Sequence, residues 1–231
     1  KALFYLIVQY QTDKIEAERT IQMGNGNRGN TMIIKNGLVF TPEGKFEKKD
    51  FYIEGEYVAK ETTDNKEVEA EGCYVIPGLV DIHFHGCVRH DMCDGTEESI
   101  QALADYEAAN GVLAICPATM TIPEEELFQA MNAAREHKNG KGADLVGINM
   151  EGPFVNKEKK GAQKEEDIKL ADVELFHKLQ EAAGGLIKLV DLAPETEGAM
   201  DFINQVKDEV HVSIAHTMAD YDTATEAINR G

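Results

Sequence analysis

The sequence predicts an α/β protein: a small N-terminal β-sandwich-like domain over residues 32–77, then part of a (β/α)8 TIM-type barrel over residues 78–231. Three observations predict it. Short apolar runs, separated by Gly44, Gly55 and charged stretches, fill residues 32–77 in the manner of a compact β unit. Beyond Pro77-Gly78, strand-like runs alternate with segments of helical period, the pattern of βα units around a mainly parallel sheet. Five such units fill residues 78–231, at the roughly 30 residues per unit of a barrel that needs about 250 residues in full.

The elements follow in order. Residues 2–8 are apolar, 13–21 are polar with weak helical spacing, and 23–31 are rich in Gly and Asn without an apolar period. Residues 1–31 are therefore expected to be a disordered extension outside the fold. Met32 opens a strand over 33–35. Asn36-Gly37 predicts a hairpin turn, because both residues tolerate positive φ, with a return strand over 38–40. Further strands are expected at 51–53, 57–59 and 74–76. In the barrel region, strands are expected at 79–84, 112–116, 145–150, 187–192 and 210–215. Helices are expected at 96–109, 123–137, 172–183, 200–206 and 222–230, with Pro123 suited to a helix start.

Composition narrows the function. The chain has 231 residues, 42% hydrophobic and 28% charged, with a net charge of −19. These values exclude collagen-like, coiled-coil and wholly disordered classes. So acidic a chain repels nucleic acid and anionic membranes, so neither is an expected partner. An anionic small substrate needs a local positive site. Residues 2–8 fall far short of the roughly 20 apolar residues of a membrane span. Cys73, Cys87, Cys93 and Cys116 contain no CxxC pair, which argues against a zinc knuckle and for a reducing, cytoplasmic location.

Candidate chemistry sits at strand ends. Alternation along a strand puts His83 and His85 on one face and Ile82 and Phe84 on the other. Two imidazoles so spaced at the C-terminal end of a barrel strand suit a metal ion; the alternative is two hydrogen-bonded core histidines. Glu151 ends the third barrel strand with the parity of Asn149 and Gly147, leaving Val146, Ile148 and Met150 to face helices. A carboxylate there is costly unless paired or metal-bound; the alternative is a solvated group at the mouth. His216 ends the fifth strand, whereas His211 points to the opposite face. His90 lies in a loop near the site, and His137 and His177 read as surface residues on helices. Nitrogen ligands with one carboxylate favour Zn²⁺ or Fe²⁺ over Mg²⁺ or Ca²⁺, and the implied chemistry is metal-assisted hydrolysis. No residue before Gly231 stands out as the general acid/base.

Two motifs carry a family resemblance. Pro77-Gly78-Leu79-Val80-Asp81-Ile82-His83-Phe84-His85-Gly86 resembles the opening strand of the amidohydrolase superfamily. Glu151-Gly152-Pro153-Phe154, followed by Lys159-Lys160-Gly161-Ala162, resembles the N-acetylglucosamine-6-phosphate deacetylase family, as do Asp191-Leu192-Ala193-Pro194-Glu195 and His216-Thr217. The resemblance implies hydrolysis of the acetamide of N-acetylglucosamine 6-phosphate to glucosamine 6-phosphate and acetate. It implies that Glu151 and His216 ligate a main metal, with His83 and His85 forming a second site that Glu151 bridges. Ala162 and Gln163 would contact the substrate, Gln163 standing where the family pattern often has His. A homodimer and a catalytic aspartate beyond residue 231 are also implied, so the chain alone is expected to be inactive. Two rivals are weighed. Cyclic-amide hydrolases of the superfamily bridge two metals with a lysine ending the fourth strand, but Lys188 lies near the start of that strand. A non-catalytic truncated barrel is the other rival. The basic run Lys157–Lys159 and Lys160 reads as a solvated loop, and the cysteines as packed or loop thiols.

Overall fold

The computed structural model describes residues 5–9, 31–54, 57–62 and 66–231. The expectations for residues 10–30 lie outside these. The fold is α/β with open sheets. It divides into two compact units. One comprises residues 1–80, 104–114 and 139–144; the other comprises 81–103, 115–138 and 145–231.

In the first unit, six strands form one sheet among the described residues: β1 (Tyr5–Gln9), β2 (Met32–Phe40), β3 (Phe46–Glu54), β4 (Tyr57–Ala59), β5 (Glu67–Glu69) and β6 (Cys73–Pro77). The order is β1-β6-β2-β3-β4, with β5 also on β2. It is a single sheet rather than the expected sandwich of two. One face buries Met32, Ile34, Val39, Phe51, Ile53 and Val75, the alternation of a half-buried strand. β1 falls inside the segment expected to be disordered, yet pairs antiparallel with β6, Tyr5 opposite Pro77 and Gln9 opposite Cys73.

The Asn36-Gly37 hairpin is not formed. Both residues lie inside β2, which runs antiparallel to β3 throughout with a bulge between Ile34 and Gly37. Asn36 has the positive φ that the motif allows, 62°, but spends it on the bulge. The bulge serves an exchange of partners. Before it, Ile33–Lys35 pair with β5; after it, Leu38 and Val39 pair with β6. At Gly37 a Cβ would stand 2.6 Å from Val75 Cγ2, so only glycine permits this approach. The reversal comes at Thr41–Lys45 instead, where Thr41 N–H donates to Lys45 O at 2.8 Å and Gly44 takes φ 73°.

β7 (Leu79–Asp81), β10 (Val112–Ile115) and β11 (Asp144–Leu145) form a three-stranded sheet with β10 central. The expected strand 79–84 stops at Asp81, whose Oδ1 accepts the His83 N–H at 2.9 Å. Between β7 and α1 (Glu97–Ala109) lies a small hairpin of β8 (Gly86–Cys87) and β9 (His90–Asp91).

In the second unit, β12 (Ile148–Glu151), β13 (Ile187–Leu192) and β14 (His211–Ile214) run parallel in that order. The expected strand 145–150 is broken at Val146-Gly147, and Val146 is exposed rather than turned to a helix. A parallel bridge between Ala118 and Asn149 carries the alignment on to the segment after β10. The helices are α2 (Glu124–Glu136), α3 (Val173–Ala182), α4 (Ala199–Val206) and α5 (Tyr221–Arg230). α2 starts after Pro123 with three glutamates in its first turn, which suits the helix dipole. Asp172 caps α3 and Asp220 caps α5 through their side chains. Phe154, Phe176 and Phe202 are buried together, with ring centroids 5.2 and 5.8 Å apart.

Candidate metal centre

Glu151 is the last residue of β12, and the parallel register sets it beside Asp191, which in turn stands beside Ser213. The three side chains therefore share a layer and a face. Gly152 follows with φ 78°, and a Cβ there would fall on Thr121 Oγ1. Glycine is needed for the chain to leave the strand at this point. His83 and His85 come from the irregular segment after β7, and His216 from just beyond β14.

These residues converge. His83 Nε2 lies 2.9 Å and His85 Nε2 3.3 Å from Glu151 Oε2. His216 Nε2 lies 2.7 Å from the other oxygen, Oε1. His83, His85 and Glu151 each present a ligand atom, all within 4.8 Å of one another. The four expected ligands are thus together, although 82–85 is not strand. The carboxylate is 4% exposed. Burial opposes its charge, but hydrogen bonds from His85 and His216 outweigh burial and hold the carboxyl below its ordinary range. The Glu151 hydrogen bond raises His85 against burial. Burial lowers His216, but the Lys159 carbonyl and Glu151 together raise it above its usual value.

The protonation pattern tests the fit of a cation. His216 Nδ1 is 2.8 Å from the Lys159 carbonyl oxygen, so this nitrogen carries a proton. Nε2 then meets a second acceptor, Glu151 Oε1. A neutral ring cannot satisfy both; it must be an imidazolium or give its Nε2 lone pair to a cation. Two more imidazoles on the same carboxylate make the cation the better complement, and nitrogen donors with one carboxylate can hold a divalent metal ion.

A cavity of about 410 Å³ opens over the cluster, lined by all four residues and by Met120, Ala162, Gln163, Asp191 and Ala215. Ala162 and Gln163, the expected substrate contacts, are among the residues lining this cavity. Gln163 is 2% exposed and its amide is committed: Nε2 donates to Glu151 Oε1 at 2.6 Å and Oε1 accepts the Thr121 N–H at 2.6 Å. It supports the carboxylate, as outer hydrogen bonds do in metal sites. Asn149 Nδ2 contacts His83 Nδ1 at 3.0 Å. Asp191, 2% exposed, was read only as part of a motif. Burial pushes its carboxyl up, and it faces His83 Nδ1 at 3.9 Å. Its signal in the sequence was an acidic residue next to the end of a strand that is apolar apart from Lys188.

Other candidates separate from the site. His211 is exposed, and His177 pairs with Glu209 at 3.2 Å. His90 faces Asp94 at 3.8 Å and does not line the cavity. His137, expected at the surface, has a fully buried side chain whose Nδ1 meets Glu97 at 3.1 Å, because it ends α2 against the start of α1. Lys188 Nζ donates to the Gly185 carbonyl at 2.7 Å, away from the cavity. Burial pushes the Cys93 thiol to about 12 and the Cys116 thiol to about 11, which leaves neither a nucleophile.

The end of β12 and the segments after β7 and β14 thus bring three imidazoles to one buried carboxylate, a donor set able to hold a divalent metal ion. Curated proteins to which the chain is similar include several N-acetylglucosamine-6-phosphate deacetylases. The enzyme of that name from Bacillus subtilis (strain 168) is 36% identical over 206 residues, covering 86% of this chain and 50% of the relative. That from Bos taurus is 28% identical, covering 86% and 47%. An N-acetylgalactosamine-6-phosphate deacetylase from Escherichia coli O157:H7 is 27% identical, covering 87% and 54%. The solved N-acetyl-D-glucosamine-6-phosphate deacetylase D267A mutant from Mycobacterium smegmatis superposes with a TM-score of 0.77 at 24% identity, covering 88% of this chain and 54% of that one. The Thermotoga maritima structure gives 0.72 at 23% identity, covering 87% and 53%. The chain spans about half the length of the curated relatives it matches. No protein-family model matches it.

Proposed function

We propose that the protein carrying this chain hydrolyses the acetamide of N-acetylglucosamine 6-phosphate to glucosamine 6-phosphate and acetate, and that this chain supplies its metal centre within part of a (β/α)8 barrel. The observation that carries the reading is the convergence of His83, His85 and His216 on the two oxygens of Glu151. The relatives' names supply the substrate. His83, His85 and Glu151 would hold one Zn²⁺ or Fe²⁺, with Glu151 Oε1 and His216 available to a second. When bound, the cation supplies a Lewis acid for the amide and for the attacking water. Gln163 orients the carboxylate, and Ala162 borders the space left for the sugar. The proton-transferring aspartate is proposed to lie outside residues 1–231. A cytoplasmic homodimer fits the acidic composition and the family resemblance. Among the described residues no helix is long and apolar enough to cross a membrane. The hydrogen bond from Lys188 to Gly185 disfavours the cyclic-amide alternative, which needs a lysine at the metals.

Acetate release from N-acetylglucosamine 6-phosphate by the polypeptide carrying this chain tests the proposal, with N-acetylgalactosamine 6-phosphate as competitor substrate. Turnover should require Zn²⁺ or Fe²⁺ and should fall by several orders of magnitude in Glu151→Gln. Preference for the galacto substrate would reassign the sugar. Metal-independent turnover would overturn the site.

A further inference from the structure

The Asp191–Glu195 motif places a second carboxylate, Glu195, three residues beyond β13, outside the cavity and with no role in the reading above. Its hydrogen bonds join three loops. Oε1 accepts from Asn156 Nδ2 at 2.7 Å and from the Met218 N–H at 2.6 Å. Oε2 accepts from Thr217 Oγ1. Asn156 belongs to the loop after β12, and Thr217 and Met218 directly follow His216. Asn156 N–H also donates to the His216 carbonyl at 3.0 Å.

His216 needs such a frame. Its φ is 46°, a left-handed conformation that a residue with a Cβ adopts rarely and keeps only where its surroundings over-determine it. The strand cannot impose it: the β13–β14 ladder ends with Leu192 opposite Ile214, and the last bond is Ala215 N–H to Leu192 O at 3.0 Å. The next two residues after His216 are both gripped by Glu195.

We propose that Glu195 is the positioning residue for His216, fixing the left-handed backbone that turns Nε2 onto Glu151. The inference rests on the reading of His216 as a metal ligand. Glu195 acts through geometry: three acceptor contacts from one carboxylate set where the chain goes after β14.

Titration of the metal-free protein with Co²⁺, followed by its visible d–d bands, tests this alongside thermal melts without metal. His216→Ala should weaken Co²⁺ binding and change the bands. Glu195→Ala should weaken binding by about 10- to 100-fold, the usual cost of losing an outer partner of a ligand, and change the bands in the same sense. Glu195→Gln keeps an oxygen for Asn156 and Met218 and should restore most of the affinity. Asp172→Ala, a helix-cap change in the same unit, should lower the melting temperature and leave the bands alone. If Glu195→Ala does not fold, Thr217→Val removes the hydroxyl's contact with Glu195, and with it the bond from the Ala219 N–H, at constant shape and should weaken Co²⁺ several-fold. Native bands and affinity in the foldable Glu195 or Thr217 variant, with altered ones in His216→Ala, would overturn the proposal. Unchanged bands in His216→Ala would instead remove the ligand reading, and this proposal with it.

Discussion

Glu151 receives three imidazoles and one amide on two oxygens, so the orientation of a single carboxylate sets the whole centre. Gln163 controls that orientation. Gln163→Leu is expected to strand the Thr121 N–H and free Glu151 Oε1, lowering Zn²⁺ affinity about 10-fold or more. Competition against a chromophoric chelator measures it, and native affinity would show the amide to be idle. A second prediction concerns Asp50. The Asn36 N–H, and after it Lys35, hold its carboxyl below the usual 3.8. A lowered folded value stabilises above the ordinary pKa, and the benefit is lost as pH falls through the folded one. Asp50→Asn should therefore lower the melting temperature slightly near neutrality and flatten its decline below about pH 4. Parallel acid-limb slopes in the two proteins would refute this. At this scale the sequence marked His83 and His85 by their His-x-His spacing, and Glu151 and His216 as polar groups closing apolar runs, and the structure brings the four together. Gln163, Asn156 and Glu195 were not legible as supports, since their partners lie in other loops.

Among the elements, those with strong local signals matched the sequence and those with ambiguous ones moved. Residues 187–192 form the expected strand, and α2 to α5 lie within a residue of their expected bounds, because apolar period and cap residues agree there. Asn36-Gly37 misled because a positive φ serves a bulge as well as a turn, and only the neighbours β5 and β6 decide which. Residues 79–84 misled because Asp81 captures the His83 N–H and ends the ladder. The side-chain cap of α3 accepts the Leu175 N–H at 3.0 Å; Asp172→Ala should cost about 1 kcal/mol in chemical denaturation. Phe202 packs on Phe154 and Phe176, so Phe202→Ala should cost about 3–5 kcal/mol. A loss below about 1 kcal/mol would mean that the aromatic cluster relaxes into the space.

For the whole molecule, metal and fold should be linked, because the ligands come from segments far apart in sequence and meet only when folded. Zn²⁺ at about 100 times its dissociation constant should add about 2.7 kcal/mol, or about 5–10 °C for a chain of this size. Chelation should reverse the shift, and Glu151→Gln should abolish it. An equal shift in that variant would place the ion elsewhere. The net charge of −19 draws cations and opposes a sugar phosphate, so any anionic ligand must rely on local groups at the cavity.

The sequence by itself determined the alternation of strands and helices and the presence of imidazoles and a carboxylate at or just beyond strand ends, because periodicity and turn residues are local properties. It determined the family resemblance too, through short contiguous motifs. Only the tertiary structure decided which carboxylate oxygen meets which imidazole, that Gln163 hydrogen-bonds Glu151 and Glu195 ties down the residues after His216, and that Asp191 joins the cavity lining. Those contacts link residues 12 or more positions apart, and a one-dimensional pattern holds no record of loops that meet only in the folded chain.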